Sequence, residues 1–145
     1  MMNNLLVICI GNICRSPMAQ GLLLKAFPDK TIRSAGIDAL VGYPADPHSI
    51  QIMQEQGIDI SGHRAQRLTD RMVREADLIL TMDAEQKRYI EKNYPAAKGK
   101  VLRSGEFGDF DIPDPYQQDM SSFRQTYRLI SQGMAELARK IVQIG

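Results

Sequence analysis

Leu5-Leu6-Val7-Ile8-Cys9-Ile10-Gly11-Asn12-Ile13-Cys14-Arg15-Ser16-Pro17 is the stretch from which the rest of this chain can be read. Leu5 to Ile8 form a short continuous apolar run, the pattern of a strand buried on both faces. Ser16-Pro17 reads as a helix start, a capping hydroxyl followed by the imino acid favoured in the first turn. Between strand and helix stand Gly11 and Asn12, residues that tolerate positive φ, so successive backbone N–H groups can turn inward as an anion-binding nest. The helix N-terminus adds partial positive charge, and Arg15 adds a planar fork matched to two phosphate oxygens. A cysteine in such a bowl, Cys9, is expected as a thiolate and hence as a nucleophile facing a bound phosphoryl group.

Working outward, strands alternate with helices. Thr31 to Ala35, closed by Gly36, is a second strand, and Asp46-Pro47 opens a helix that stops at Gly57. Asp77 to Met82 is a third strand, Asp83 to Tyr94 a helix ending before Pro95, and Lys100-Val101-Leu102 a fourth strand. Phe123, Tyr127, Ile130, Met134, Leu137 and Ile141 recur at three- and four-residue intervals, the stripe of an amphipathic terminal helix. Alternation of this kind predicts an open parallel α/β sheet, whose ligands sit at the carboxyl ends of strands, where Cys9 lies.

Composition narrows the classes. The 145 residues suffice for one ordinary domain, read as 1–145, and 43% hydrophobic with 24% charged residues exclude disorder and a disulfide scaffold. Eighteen basic against seventeen acidic residues leave a net charge of +1, so no global field recruits nucleic acid or an anionic membrane. The longest apolar run is far shorter than a bilayer span and the amino terminus lacks a basic leader, which predicts a cytoplasmic protein with both cysteines reduced. The lysine and following Ser or Thr of a nucleotide P-loop are absent. Cys9 and Cys14, with only His48 and His63 to complete a set, make a poor zinc site, so neither metal nor cofactor is expected.

Ser104 to Phe123 holds Gly105, Gly108, Pro113 and Pro115 and reads as a long loop of the kind that carries function. It contains Glu106, Asp109, Asp111, Asp114 and Asp119 with no Lys or Arg inside it. Asp114 stands apart because prolines on both sides restrict its backbone and so fix where its side chain points. Asp46-Pro47, the other Asp-Pro, is the N-cap and first turn of a helix. Arg64, Arg67, Arg71 and Arg74 fall at helical spacing and read as one basic helix face, normally solvated, which would steer an acidic tyrosine-rich segment if it acts at all.

Val7 to Pro17 resembles the signature of the low-molecular-weight protein tyrosine phosphatases. Ser34-Ala35-Gly36, Gly62-His63-Arg64-Ala65, Leu80-Thr81-Met82-Asp83 and Asp114-Pro115-Tyr116 follow in that family's order and spacing. The bacterial branch acting on tyrosine autokinases of capsule and exopolysaccharide export is the most similar. The resemblance implies a three-layer α/β fold with a four-stranded parallel sheet in order 2-1-3-4, and a phosphate-binding loop of Ile10, Gly11, Asn12, Ile13, Cys14 and Ser16 after strand 1. It implies Cys9 as nucleophile, Arg15 as phosphate ligand and Asp114 as general acid and base, with a phosphocysteine intermediate and a monomeric protein. It also implies that the Ser16 hydroxyl donates to the Cys9 sulfur, that Asn12 and His63 brace the loop, and that Asp83 supports the site besides capping a helix.

Ile13, Leu40 and Tyr116 are the expected substrate wall. An apolar Ile13 suits a phenyl ring, whereas arginine phosphatases similar to this family carry threonine there. Arsenate reductases of related appearance need cysteines beyond Cys14, and none exists. Gln117 replaces the second tyrosine of vertebrate members, and Leu40 and Val41 replace an aromatic wall. A phosphoarginine phosphatase and a non-catalytic phosphotyrosine or oxyanion binder are the alternative readings. Cys14 is either the partner that closes a protective disulfide with Cys9 under peroxide or a buried spectator.

Overall fold

Residues along the first strand, β1 (Asn4–Cys9), point alternately to the two faces of the sheet, and both faces are covered. Leu5, Val7 and Cys9 belong to one apolar cluster, Leu6 and Ile8 to another. That double burial is why the run is continuously apolar rather than alternating. The structure, a computed structural model, describes residues 2–144. The remaining strands are β2 (Thr31–Gly36), β3 (Leu78–Thr81) and β4 (Val101–Arg103), all parallel, in spatial order β2-β1-β3-β4.

Helices α1 (Arg15–Ala26) and α2 (Pro47–Glu55) bury Met18, Leu23, Ile52 and Met53 against one face. The last helix, α5 (Met120–Ile144), joins them there through Phe123, Ile130, Met134, Leu137 and Ile141, the stripe expected from the sequence, with Tyr127 half-buried beside it. A short α3 (Asp70–Glu75) and α4 (Ala84–Asn93) cover the opposite face with Val73 and Ile90. The order β2-β1-β3-β4 means the chain leaves β1 toward one side and returns on the other, which opens a crevice at the carboxyl end of β1. No helix of the described residues is long and apolar enough to cross a membrane.

Local readings fail in three places. The Ser16-Pro17 start is displaced: α1 begins at Arg15, no side chain caps it, and the buried Ser16 hydroxyl is spent elsewhere. The basic helix face does not exist, because α3 begins only at Asp70 and Arg64 and Arg67 lie in the preceding irregular segment. Arg71 pairs with Glu75 and Arg74 with Asp70, so the two helical arginines are neutralised on their own helix. The carboxylate-rich loop is not without counter-charge either. Arg103, one residue outside it, donates to Asp109 at 2.8 Å, Asp111 at 3.1 Å and Glu106 at 3.3 Å. Those three hydrogen bonds raise the Arg103 pKa, and they fold the loop around one cation.

Gly36 and Gly133 set close approaches between separate elements. A Cβ on Gly36 would fall under 3.0 Å from the Ile10 carbonyl oxygen, so only glycine lets the end of β2 meet the loop after β1. On α5, Gly133 faces the Ser104 carbonyl oxygen at the end of β4, and a Cβ there would also come well under 3.0 Å. Gly133→Ala should therefore destabilise the protein by about 1–3 kcal/mol through overpacking, although alanine is the better helix former by about 1 kcal/mol. A urea midpoint equal to or above that of the wild type would show that the two elements have room to separate.

Candidate active site

The loop from Cys9 to Arg15 joins β1 to α1, and every carbonyl from Cys9 to Cys14 is claimed from outside it. Ile37, Asp38, Leu40 and Asp46 donate backbone N–H groups to the carbonyls of Cys9, Ile10, Gly11 and Ile13 at 3.0, 2.9, 3.0 and 2.8 Å. The imidazole of His63 meets the Asn12 carbonyl at 2.7 Å, and the Ser49 hydroxyl donates to Cys14 O at 3.1 Å. In a trans peptide the C=O and the next N–H point opposite ways, so carbonyls pinned outward leave the amide hydrogens facing inward. The result is the nest expected from the sequence, with one difference. Asn12 alone adopts positive φ, at 60°, and Gly11 does not.

Asn12 holds that conformation because its amide is fully engaged. Nδ2 donates to Ser16 Oγ at 2.7 Å and to Ser34 Oγ at 3.0 Å, and Oδ1 accepts from Gln66 N–H at 2.9 Å. Ser34 passes its own proton to Gln20 Oε1 at 2.6 Å. Ser16 Oγ thus accepts from Asn12 and has its hydroxyl proton left for the Cys9 sulfur, 2.9 Å away. The backbone N–H of Asn12 also donates to that sulfur, at 3.2 Å.

Arg15 is 2% exposed, and its Nη1 donates to the Ile112 carbonyl at 2.8 Å. Asp83 Oδ2 lies 3.9 Å from Nη1 and Asp114 Oδ2 3.7 Å from Nη2, so two carboxylates hold the guanidinium in place. Asp83 uses its other oxygen to cap α4, accepting from Gln86 N–H at 2.7 Å. Asp114 does likewise in its turn, where Oδ1 accepts from Tyr116 N–H at 3.1 Å. The flanking prolines and this turn aim the second oxygen inward, as the sequence predicts.

Arg15 and Asp114 border a cavity of about 160 Å³. Buried Cys9, Cys14 and Arg15 meet there with Ile10, Gly11 and Ile13 of the loop, and Leu40 and Tyr116 form further wall. Asp38, which sequence reasoning passed over, also lines it. Both cysteines are free thiols. Burial first, then nearby Asp46, pushes the Cys14 pKa up, which keeps Cys14 protonated. Asn12, Ser16 and His63 do not line the cavity but hold the residues that do. Ser49, Gln20 and Ser34 complete this bracing; no spacing rule singles out the first two. The arrangement can bind a tetrahedral oxyanion against inward amides and a guanidinium, with a sulfur beneath it and a carboxyl at its rim.

A four-stranded parallel α/β sheet with an oxyanion cradle after its first strand defines a phosphate-handling protein. The family model of the low molecular weight phosphotyrosine protein phosphatases matches residues 4–144, and the chain belongs to that family; it is a protein-tyrosine phosphatase. It is 49% identical over 145 residues to a probable low molecular weight protein-tyrosine-phosphatase, EpsP, of Ralstonia nicotianae, each chain covered over 100%. The crystal structure of the tyrosine phosphatase Wzb from Escherichia coli K30 with sulphate superposes with a TM-score of 0.93 at 38% identity. The match covers 97% of this chain and 99% of that one. An arginine phosphatase, YwlE of Geobacillus stearothermophilus, has a TM-score of 0.90 at 32% identity, covering 97% and 94%.

His63 offers a test of the bracing. Its partner is a carbonyl, so Nε2 carries the hydrogen, and burial depresses its pKa below the ordinary 6.5. A histidine whose folded pKa is depressed binds its proton more readily in the unfolded chain. Its contribution to stability is complete above about pH 6.5 and shrinks as pH falls below that value. His63→Gln removes the titration while keeping an amide donor, so urea unfolding between about pH 7.5 and about pH 5, which brackets the free imidazole value of about 6.5, should show a shallower acid loss than in the wild type. Parallel pH profiles would mean the imidazole carries no such linkage.

Proposed function

We propose that this phosphatase hydrolyses protein phosphotyrosine through a phosphocysteine on Cys9. The sulfur attacks phosphorus in line as the bond from phosphorus to the tyrosine oxygen breaks, and the electron pair leaves with that oxygen. Asp114 donates the proton that turns the departing phenolate into tyrosine. Arg15 and the inward amides of the loop hold the equatorial oxygens, where charge concentrates. Asp114, now a carboxylate, takes a proton from water as it attacks the phosphocysteine, and the sulfur departs as thiolate, stabilised by Ser16 and Asn12 N–H. Phosphate is released and the proton count is restored.

The observation that carries this reading is the convergence of two donors on the Cys9 sulfur, at 2.9 and 3.2 Å, inside a loop whose carbonyls are turned away. A binder of phosphotyrosine needs neither that sulfur nor a carboxyl at the rim. Phosphotyrosine is favoured over phosphoarginine because Ile13, Leu40 and Tyr116 present apolar and aromatic surface to the substrate. The target we assign is a bacterial tyrosine autokinase of exopolysaccharide export, in keeping with the relatives named EpsP and Wzb. A cytoplasmic location suits chemistry that requires a free thiol. We assign a monomer as the working unit, since sulfur, guanidinium and rim carboxyl meet in one cavity without a residue left to be supplied.

Cys9→Ser should abolish turnover of an aryl phosphate, and rapid quenching of the wild type in mid-reaction should trap phosphate on Cys9; a phosphorylated protein lacking label at that residue would refute the mechanism. A chelator should leave the wild-type rate unchanged. Asp114→Ala should lower kcat by about 10²–10⁴ for an unactivated phenol and by far less for a nitrophenol, which leaves without protonation. A uniform loss across leaving groups would assign Asp114 to folding the loop instead.

A further inference from the structure

The carboxylate-rich loop leaves the sheet at Arg103, the last residue of β4, and returns to the site at Ile112, whose N–H donates to the Met82 carbonyl at 2.8 Å. Arg103 ties the two ends together. Its Nη1 donates to Asp111 Oδ1 at 3.1 Å and its Nη2 to Asp109 Oδ1 at 2.8 Å. Glu106 accepts from Nη2 at 3.3 Å and from the Arg103 N–H at 3.1 Å, and Lys87 of α4 stands 3.7 Å from it. The Arg103 side chain is 16% exposed, so its charge is only partly screened.

Asp111 carries the consequence for the site. Its Oδ1 also accepts from the Ala84 N–H at 3.2 Å, so one oxygen joins Arg103 to the first residue of α4. Ala84 follows Asp83, and Asp111 precedes Ile112; Asp83, the Ile112 carbonyl and Asp114 all meet Arg15. The spacing between the two sides of that grip therefore depends on a bond that Arg103 completes. The prolines around Asp114 fix its direction along the chain, but the place from which that direction starts is set by Asp111 and the Ile112 N–H. Without Arg103, the carboxylates of Glu106, Asp109 and Asp111 would repel one another and drive Asp111 away from α4.

We propose that Arg103 is a positioning residue for acid catalysis: by holding Asp111 on α4 it sets the place of Asp114 at the rim of the cavity. It lies outside the cavity wall and touches neither substrate nor the reacting atoms. The proposal rests on the phosphatase reading above, with Asp114 as the acid, and adds a residue that acts through it.

Phenyl phosphate, a poor leaving group, and nitrophenyl phosphate, which leaves without protonation, test it through kcat/KM, which reports transfer of phosphorus to sulfur. Arg103→Met should lower kcat/KM about tenfold for phenyl phosphate and by no more than about twofold for nitrophenyl phosphate, since a misplaced acid matters only where a proton must be supplied. In an Asp114→Ala background the same substitution should cost phenyl phosphate nothing further, the non-additivity of two residues that act as one. Arg103→Lys should recover part of the loss, because an ammonium restores the charge without reaching all the carboxylates. Should Arg103→Met fail to fold, Asp111→Ala, which leaves Arg103 on Glu106 and Asp109, decides the matter by the same selective loss. An equal loss for both esters, no loss, or a loss that adds to that of Asp114→Ala would overturn the positioning role and leave the phosphatase reading intact. A wild type inactive on both esters would refute the phosphatase reading, and an Asp114→Ala variant that loses both equally the acid assignment; either result takes this proposal with it.

Discussion

The whole site depends on where the carbonyls of one short loop point. Six consecutive C=O groups, Cys9 to Cys14, are drawn outward by donors from the segment after β2, from α2 and from His63. Left to itself, a loop with that many carbonyls would present mixed dipoles to a phosphate and bind it poorly. Anchoring one end of each peptide dipole forces the other inward, so the protein binds an anion with backbone rather than with a surplus of lysines. This explains how a chain with a net charge of +1 makes a phosphate site at all.

The anchors explain the architecture around them. β2 lies next to β1, so the chain that leaves it at Gly36 runs directly past the loop, and glycine is required there because the backbones nearly touch. β3 lies on the other side and delivers Asp83 to Arg15, while β4 leads into the Arg103-centred loop that carries Ile112 and Asp114 to the same guanidinium. Arg15 is thus gripped from two elements that the sheet order brings together. A buried guanidinium costs a great deal unless its charge is met, and two carboxylates and a carbonyl meet it here.

Much of this was legible in the sequence where residue chemistry and short spacing coincide. The strand, the turn residues, the arginine and the helix start all lie between Leu5 and Pro17, so Cys9, Arg15 and the loop could be assigned together. Asp114 could be separated from four neighbouring carboxylates because its prolines are adjacent to it. Where local signals competed, they misled. Ser16 looks like a cap, but the buried sulfur is the better partner for its hydroxyl. Four arginines at helical spacing suggest a face, but the helix forms only over the last two. The loop carboxylates look unpaired when their cation lies just outside the window, at Arg103.

The sequence by itself determined the alternating α/β order, the doubly buried first strand and which sulfur, guanidinium and carboxyl are candidates for one site, because each depends on residue type and neighbours along the chain. Only the tertiary structure decided which backbone donors hold the loop open, that Asn12 Nδ2 spans Ser16 and Ser34, and that Gln20 and Ser49 complete the bracing. Those depend on distances between residues far apart in sequence, such as Asn12 with His63 or Arg15 with Ile112, and a hydrogen bond across such a separation leaves no periodicity to read.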